Sequence, residues 1–279
     1  MEKKIVVGVI GLGVGLIHSK VINNYKNVEL RTICDFNQKK LIEAKKIFKN
    51  CKYTINADDI FKDPKINLVV IASYDNFHFR HIKKSIINKK NFFVEKPFCQ
   101  KRNELKQLLT LLKKNRKIRF SSNLILRNSP HFIKIKKLLN KIKLGEIYYL
   151  EAEYNYGRKY KLTKGWRGRI PFYSINLGGG IHLLDIILNL IKSKIISVTS
   201  LGNKISTAKS NFKFNDCVTT LIKFKNGMHA KLLSNFSTVE KHNHYFKIFG
   251  TKMNIKYNKD ITEIYENNNK IKVYKKKYD

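Results

Sequence analysis

Paired cysteines are missing from this sequence. Cys34, Cys51, Cys99 and Cys217 stand singly, with no Cys-x-x-Cys spacing among them. That argues against a zinc ribbon or a disulfide framework and fits a reducing compartment. Long apolar runs are missing too. Residues 5–17 follow Lys3-Lys4 and mimic the charged and apolar parts of a signal peptide, but the run is too short to span a bilayer. No small-residue cleavage site follows it, and its glycines are spaced for another purpose. The protein is expected to be soluble and cytoplasmic, with no membrane partner.

Acidic residues are the third shortage. The 279 residues include 20 Asp and Glu against 57 Lys and Arg, a formal charge of +37. Such a balance ordinarily points to nucleic acid or an anionic surface. Here lysine far outnumbers arginine, and isoleucine and asparagine are abundant, which is the bias of AT-rich coding. The lysines are spread over helix faces and a C-terminal tail, Lys275-Lys276-Lys277, rather than gathered in one block. Weak affinity for polyanions follows, but no specific nucleic-acid partner is expected.

What is present is an alternation of strands and helices. Residues 4–10 form a β-branched run of the kind buried on both faces of a parallel sheet. Gly11-Leu12-Gly13-Val14-Gly15 comes next, then a helical pattern through Tyr25. A strand, a glycine turn and a helix make a place where a pyrophosphate can rest on backbone N–H groups. The spacing is compressed, with Leu16 where the usual fingerprint carries its third glycine. A second strand, 28–34, ends at Asp35, whose carboxylate can accept hydrogen bonds from both adenine-ribose hydroxyls and would repel a 2′-phosphate. NAD is therefore expected rather than NADP.

Further strands are expected near Tyr53 and at 67–72, 91–94 and 118–122, with helices at 38–48, 77–88 and 103–115. This order predicts a doubly wound parallel sheet, with ligands at the carboxyl ends of the strands. Asp35, Ser73, Tyr74, Glu95 and Lys96 all fall at such ends. After residue 190 the pattern changes to short strands at 195–201, 217–224, 229–234, 245–249, 253–257 and 261–265, with turn signals at Asn226-Gly227 and Gly250-Thr251. The expected organisation is α/β. An N-terminal Rossmann dinucleotide-binding domain (1–122) precedes an α+β domain with a mostly antiparallel open sheet (123–279).

Several motifs now fall into one pattern. They are the glycine turn with His18, then Asp35, then Ala72-Ser73-Tyr74-Asp75 with His78, then Glu95-Lys96-Pro97 closing the fifth strand. Arg127-Asn128-Ser129-Pro130 precedes a helix, Leu144-Gly145-Glu146-Ile147 leads into a strand, and Trp166-Arg167 stands before a glycine-rich helix. Together they resemble the oxidoreductases named after glucose–fructose oxidoreductase, inositol dehydrogenase and MocA, over essentially the whole chain. The resemblance implies a second domain whose sheet covers the active site, and oligomerisation, as a dimer or tetramer, through that sheet. Two departures stand out. Gly178 lies four residues before His182, where many members carry an aspartate, and Ser73-Tyr74-Asp75 replaces the usual Thr-Pro-Asn.

The chemistry expected is hydride transfer between a nicotinamide and a secondary alcohol, which needs orientation and one proton acceptor. Lys96 suits that role, because burial beside Val94 and a cofactor would favour a neutral amine. Alone, a carboxylate and an amine after a strand are what a solvated loop also presents. His182 follows three glycines and matches the family's histidine, as a proton shuttle or hydrogen-bond donor to the reacting oxygen. Cofactor contacts are expected from Gly11, Leu12, Gly13, Val14, Gly15, Asp35, Ser73, Tyr74, His78, Glu95, Lys96, Arg127, Trp166 and Arg167. Substrate contacts are expected from Lys96, Tyr156, Arg158, Arg169, Asn176, His182 and Asp185. The arginines suit the diphosphate of a nucleotide-sugar. His78 with His81, and His242 with His244, lack a third ligand at useful spacing, so no metal is expected. The substrate class is a sugar, nucleotide-sugar or polyol. A catalytically silent NAD-binding sensor or assembly protein of the same fold is the competing possibility, motivated by Gly178.

Overall fold

The structure is a computed structural model that describes residues 4–140 and 144–275; Lys276 and Lys277 of the basic tail lie outside the described residues. The chain divides into two compact units, Met1–Asn123 and Leu124–Asp279.

In the first unit the strands are β1 (Ile5–Ile10), β2 (Val28–Cys34), β3 (Lys52–Thr54), β4 (Leu68–Ile71), β5 (Asn91–Val94) and β6 (Phe120–Ser122). The helices between them are α1 (Gly15–Asn23), α2 (Gln38–Ile47), α3 (Asp58–Lys62), α4 (His78–Ile87) and α5 (Arg102–Lys114). All strands are parallel, in the order β3-β2-β1-β4-β5-β6. This is the doubly wound Rossmann sheet expected from the alternation.

The continuous apolar runs are explained by burial on both faces. Along β4, Val69 and Ile71 pack into one core with Phe61, Ile82, Ile86 and Phe92, while Val70 packs into the other with Val9, Ile33, Leu41 and Phe48. Register then sets the position of the loops. Ile10 pairs with Cys34 and Ile71, Cys34 with Thr54, Ile71 with Val94, and Val94 with Ser122. Because the strands finish level, Gly11, Asp35, Ala72, Glu95 and Asn123 emerge at one edge of the sheet.

The second unit contains α6 (Pro130–Asn140), β7 (Ile147–Asn155), a single turn α7 (Tyr160–Thr163) and α8 (Ile181–Leu190). The strands β8 (Ile195–Asn203), β9 (Cys217–Phe224), β10 (His229–Asn235), β11 (Asn243–Gly250), β12 (Met253–Asn258), β13 (Ile261–Glu266) and β14 (Asn269–Lys275) follow. They form one sheet, β14-β13-β12-β11-β7-β10-β9-β8, antiparallel except for β7 beside β10. Period-two alternation separates its faces. Leu150, Ala152 and Tyr154 of β7 are buried, while Glu151 and Glu153 on the other face meet Lys231, and Glu151 also meets Lys247.

The differences from expectation are local. The helix expected over 77–88 starts as a 3₁₀ turn, Asp75–Phe77, and becomes α-helical at His78. The strand expected at 118–122 is confined to Phe120–Ser122. Helix α3 and strand β14 carried no expectation. In β14 the apolar side chains Ile271 and Val273 are 50% and 43% exposed, so no buried stripe marks it.

Phe92 tests the first unit's core: it is 1% exposed, stacked on Phe120 and tilted against Phe98. Phe92→Ala should lower unfolding stability by about 3–5 kcal/mol, measured by urea titration.

Candidate functional site

The glycine turn is built from three glycines with different tasks. Gly11 has φ +93°, and a Cβ there would collide with the backbone carbonyl of Ala72. Gly15 lies where α1 crosses β1 and β4, since a Cβ there would press on Ala72 at 3.1 Å and Val9 at 3.2 Å. Gly13 faces open space, with nothing within 4 Å of its Cβ position. The first glycine makes the turn, the last allows helix and strand to pack, and the middle one leaves room for a ligand to reach the backbone. Gly15 therefore does the packing work that the usual fingerprint gives to the position of Leu16. Helix α1 begins after Val14 with no side-chain cap, so its first amides are available to an anion.

Asp35 fastens this turn to β2. Its buried carboxylate accepts from Leu12 N at 2.6 Å through Oδ2 and from Asn37 N at 2.8 Å through Oδ1. Asn37, not Asp35, caps α2, accepting from Lys39 N and Lys40 N. Each carboxylate oxygen keeps a further lone pair for a ligand hydroxyl.

The loop after β5 is fixed as firmly. Glu95 N donates to Ile71 O at 2.8 Å, and its carboxylate Oε1 is bonded to His18 Nε2 at 2.8 Å and Asn123 Nδ2 at 2.7 Å. Burial alone would raise the Glu95 carboxyl. The hydrogen bonds from His18 and Asn123, with the charges of His18 and Lys96, more than offset it and hold it below the usual value. His78 Nδ1 meets Pro97 O at 2.6 Å, and its Nε2 meets Ser73 O at 3.0 Å, so one buried ring joins the loops after β4 and β5. Ser73 Oγ meets His81 Nδ1 at 3.0 Å, and burial pushes His81 down to about 4. Tyr74 packs edge-on to Phe36 at 5.5 Å. Half-buried Lys96 sits between these anchors, Glu95 on one side and Pro97 on the other.

In the second unit, the polypeptide enters α8 through a π-helical turn, Asn176–Gly180; such turns recur at functional sites. The three glycines let the turn lie flat on the sheet. A Cβ at Gly179 would strike Tyr154, and one at Gly180 would strike Ser234 Oγ. Asn176 Oδ1 and Ser234 Oγ are buried there with no hydrogen-bond partner. His182 is buried on α8 and stacks on Tyr154, with centroids 6.4 Å apart. Tyr154 also packs against Tyr156, Phe236, His242 and His244. Burial, then the neighbouring His242, pushes His244 down to about 3.

Other expected residues lie elsewhere in this unit. Arg127 and Asp185 are brought to each other, as a two-pronged pair at 2.7 Å and 2.5 Å. Arg167 stacks on Trp166 at 4.6 Å and donates from Nε to Tyr173 Oη at 2.9 Å. Arg169 is exposed and reaches the Lys164 carbonyl at 3.3 Å. Asn123, Tyr154, Tyr173 and Ser234 carried no sequence expectation. Among the described residues no group of three His, Cys, Asp or Glu could hold a metal, and no helix is long and apolar enough to cross a membrane.

Comparison with known proteins follows these lines. The family of oxidoreductases with an NAD-binding Rossmann fold called GFO/IDH/MocA matches residues 5–123, and its C-terminal domain matches residues 132–256. The chain belongs to the GFO/IDH/MocA family. It is 30% identical over 148 residues to the uncharacterized oxidoreductase YhhX of Escherichia coli, a match covering 53% of this chain and 42% of that one. The chain thus spans less than half the length of that relative. Scyllo-inositol dehydrogenase from Lactobacillus casei, solved with NAD(H) and scyllo-inositol, superposes with a TM-score of 0.81 at 20% identity, covering 91% of this chain and 76% of that one. Levoglucosan dehydrogenase, in complex with NADH and levoglucosan, gives 0.84 at 19% identity, covering 98% and 80%.

In this member of the GFO/IDH/MocA family the backbone at Gly178 lies against an aromatic side chain. A Cβ at Gly178 would overlap the hydroxyl of Tyr173, which is 1% exposed. No aspartate fits there while Tyr173 stays, so the phenol held by Arg167 takes the space of a side chain.

Two outcomes test this geometry. Gly13→Ala should leave stability within about 0.5 kcal/mol yet weaken NADH binding, followed by fluorescence titration, whereas Gly11→Ala should lose both. The second concerns acid. A carboxyl held low in the fold adds stability above its ordinary pKa of about 4.3 and loses it as pH falls through the folded value. The stability gap between the parent and Glu95→Gln should therefore narrow on acidification below about pH 4, measured by urea unfolding across pH.

Proposed function

We propose that the protein is an NAD-dependent dehydrogenase or ketoreductase acting on a secondary hydroxyl or keto group of a sugar, nucleotide-sugar or polyol. The observation that carries the proposal is the loop Glu95-Lys96-Pro97. Its carboxylate is tied to His18 and Asn123 and its carbonyl to His78, so a half-buried amine is held at the carboxyl edge of a dinucleotide sheet.

NAD fits the residues present. The uncapped start of α1 and the open space at Gly13 would take the pyrophosphate, and Asp35 would take the adenine ribose. When bound, the nicotinamide accepts or supplies the hydride. Lys96 receives the hydroxyl proton during oxidation and returns it during reduction. Glu95 does not titrate in that exchange; it fixes the loop from which Lys96 projects. In the second unit His182 is the donor to the substrate oxygen, oriented by stacking on Tyr154, with Asn176 beside it on the glycine turn. The inositol and levoglucosan dehydrogenases that share the fold support a polyol or sugar substrate. Assembly through the C-terminal sheet is proposed as well, since Ile196, Val198 and Leu201 of its edge strand β8 are all exposed.

Lys96→Ala should lower kcat/KM by roughly 10²–10⁴-fold in a variant that still binds NADH. Full turnover in that variant would remove Lys96 from the acid–base role. Tight NADH binding with no oxidation across a broad panel of sugars and polyols would instead favour the silent sensor.

A further inference from the structure

Between Glu153 and Asp185 the sequence contains no acidic residue, while six bases crowd into residues 158–169. Three of the nine arginines of this lysine-dominated chain are among them. Composition bias supplies lysine, so the local preference for arginine asks for a cause. Arginine differs by its planar fork, which matches carboxylate and phosphate.

The six bases divide by burial. Lys159, Lys164 and Arg169 are exposed, as solvated surface charge should be, whereas Arg158, Lys161 and Arg167 are half-buried. Two of these close on one ring: the Arg158 guanidinium lies 5.1 Å and the Lys161 ammonium 5.7 Å from the centroid of Tyr156. Gly157, at φ +59°, turns the backbone back sharply enough to put Arg158 there. Lys161 N donates to Arg158 O at 2.9 Å, so both cations belong to a single turn. Arg167 is engaged by Tyr173 and adds its charge nearby.

No carboxylate among the described residues forms an ion pair with Arg158 or Lys161. Glu240 approaches only through its backbone, which lies against Gly157, and its side chain is exposed. Two half-buried cations thus share one phenol. Burial would raise that phenol, but Arg167, Arg158 and Lys161 together hold it below its usual value. Uncompensated charge out of bulk water is unfavourable unless an anion completes it.

Ring contacts also connect the cations to the family's histidine. Tyr156 stacks on Tyr154 at 5.9 Å and 21°, and Tyr154 on His182 at 6.4 Å and 27°. A row of three rings therefore runs from the candidate proton donor to the guanidinium.

We propose that Arg158 and Lys161 form an anion subsite, so that the sugar acted on bears a carboxylate or phosphate rather than being a neutral polyol. This rests on the dehydrogenase proposal above. The arrangement would hold the oxyanion beyond Tyr156 and present the reacting carbon toward His182.

The test compares the parent with Arg158→Gln/Lys161→Gln and with Lys159→Gln/Lys164→Gln, which removes equal charge from exposed positions; Lys161→Gln alone is the milder variant should the first double variant fold poorly. Each is assayed with NAD on a uronate, a sugar phosphate, a nucleotide diphosphate sugar and their neutral parents. The expected result is a KM for the anionic sugars raised about tenfold or more in Arg158→Gln/Lys161→Gln only, with NADH affinity unchanged. Which anionic sugar responds tells carboxylate from phosphate. Preferred turnover of neutral polyols, or an effect confined to NADH affinity, would overturn the subsite.

If no sugar is oxidised, the dehydrogenase proposal is what fails. Inorganic pyrophosphate titrated calorimetrically then decides the subsite. Binding lost on removing Arg158 and Lys161 but kept on removing Lys159 and Lys164 supports it. Equal binding in all three proteins, or equal loss in both variants, refutes it.

Discussion

The constraint on which the first unit depends is the fixing of two buried carboxylates at the carboxyl edge of a parallel sheet. Asp35 and Glu95 are 4% and 9% exposed, and each accepts two hydrogen bonds from groups far apart in the chain. Asp35 ties the glycine turn to the end of β2. Glu95 ties the loop after β5 to α1 and to Asn123 just beyond β6. A carboxylate so placed is unfavourable without its donors, so the loops cannot relax independently. The level register of the strands brings those donors within reach. Sheet geometry, loop geometry and the position of Lys96 are therefore one problem with one solution.

The second unit solves its own problem by steric exclusion. Three successive glycines allow a π-helical turn to lie against Tyr154, Ser234 and Tyr173, and each contact is too close for any Cβ. Tyr173, pinned by Arg167, fills the volume that a side chain at position 178 would need. No larger residue fits at position 178 while Tyr173 stays, and Gly178 and Tyr173 have to be considered as a pair. Beside His182 lies an aromatic surface of Tyr154 and Tyr156, with the cations of Arg158 and Lys161 against Tyr156.

Much of this was legible in the sequence because strong periodicity survives in one dimension. The doubly wound sheet follows from β-branched runs alternating with helical patterns, and the strand ends carry Asp35, Ser73 and Glu95 as that topology requires. What escaped was contact between distant segments. Asn123 shows no local signal as a donor to Glu95, because only the parallel pairing of β5 and β6 puts it there. Gly15 looks misplaced in the fingerprint until its Cβ is seen to press on Ala72 and Val9. Strand β14 escaped for the opposite reason: it lies at a sheet edge with its apolar side chains in water, so burial imposed no pattern on it. The stacked row of His182, Tyr154 and Tyr156 joins residues from α8 and the end of β7, and neither stretch alone announces it.

The scarcity of acid links the two units' chemistry. With 20 carboxylate residues against 57 bases, the protein cannot pair most of its cations internally. On an exposed face this is of little consequence, because water and counterions solvate lysine well and surface ion pairs contribute about 0–1 kcal/mol. It matters where cations are withdrawn from water. Lys231 and Lys247 have Glu151, with Glu153 serving Lys231 as well. Lys90 is satisfied by the carbonyls of Asp63 and Ile66. Arg158 and Lys161 have only a phenol between them, in a stretch with no acid between Glu153 and Asp185. A chain this short of carboxylates had acids to place in the structural pairs and none for this turn, which is what a site that takes its counter-charge from a ligand requires.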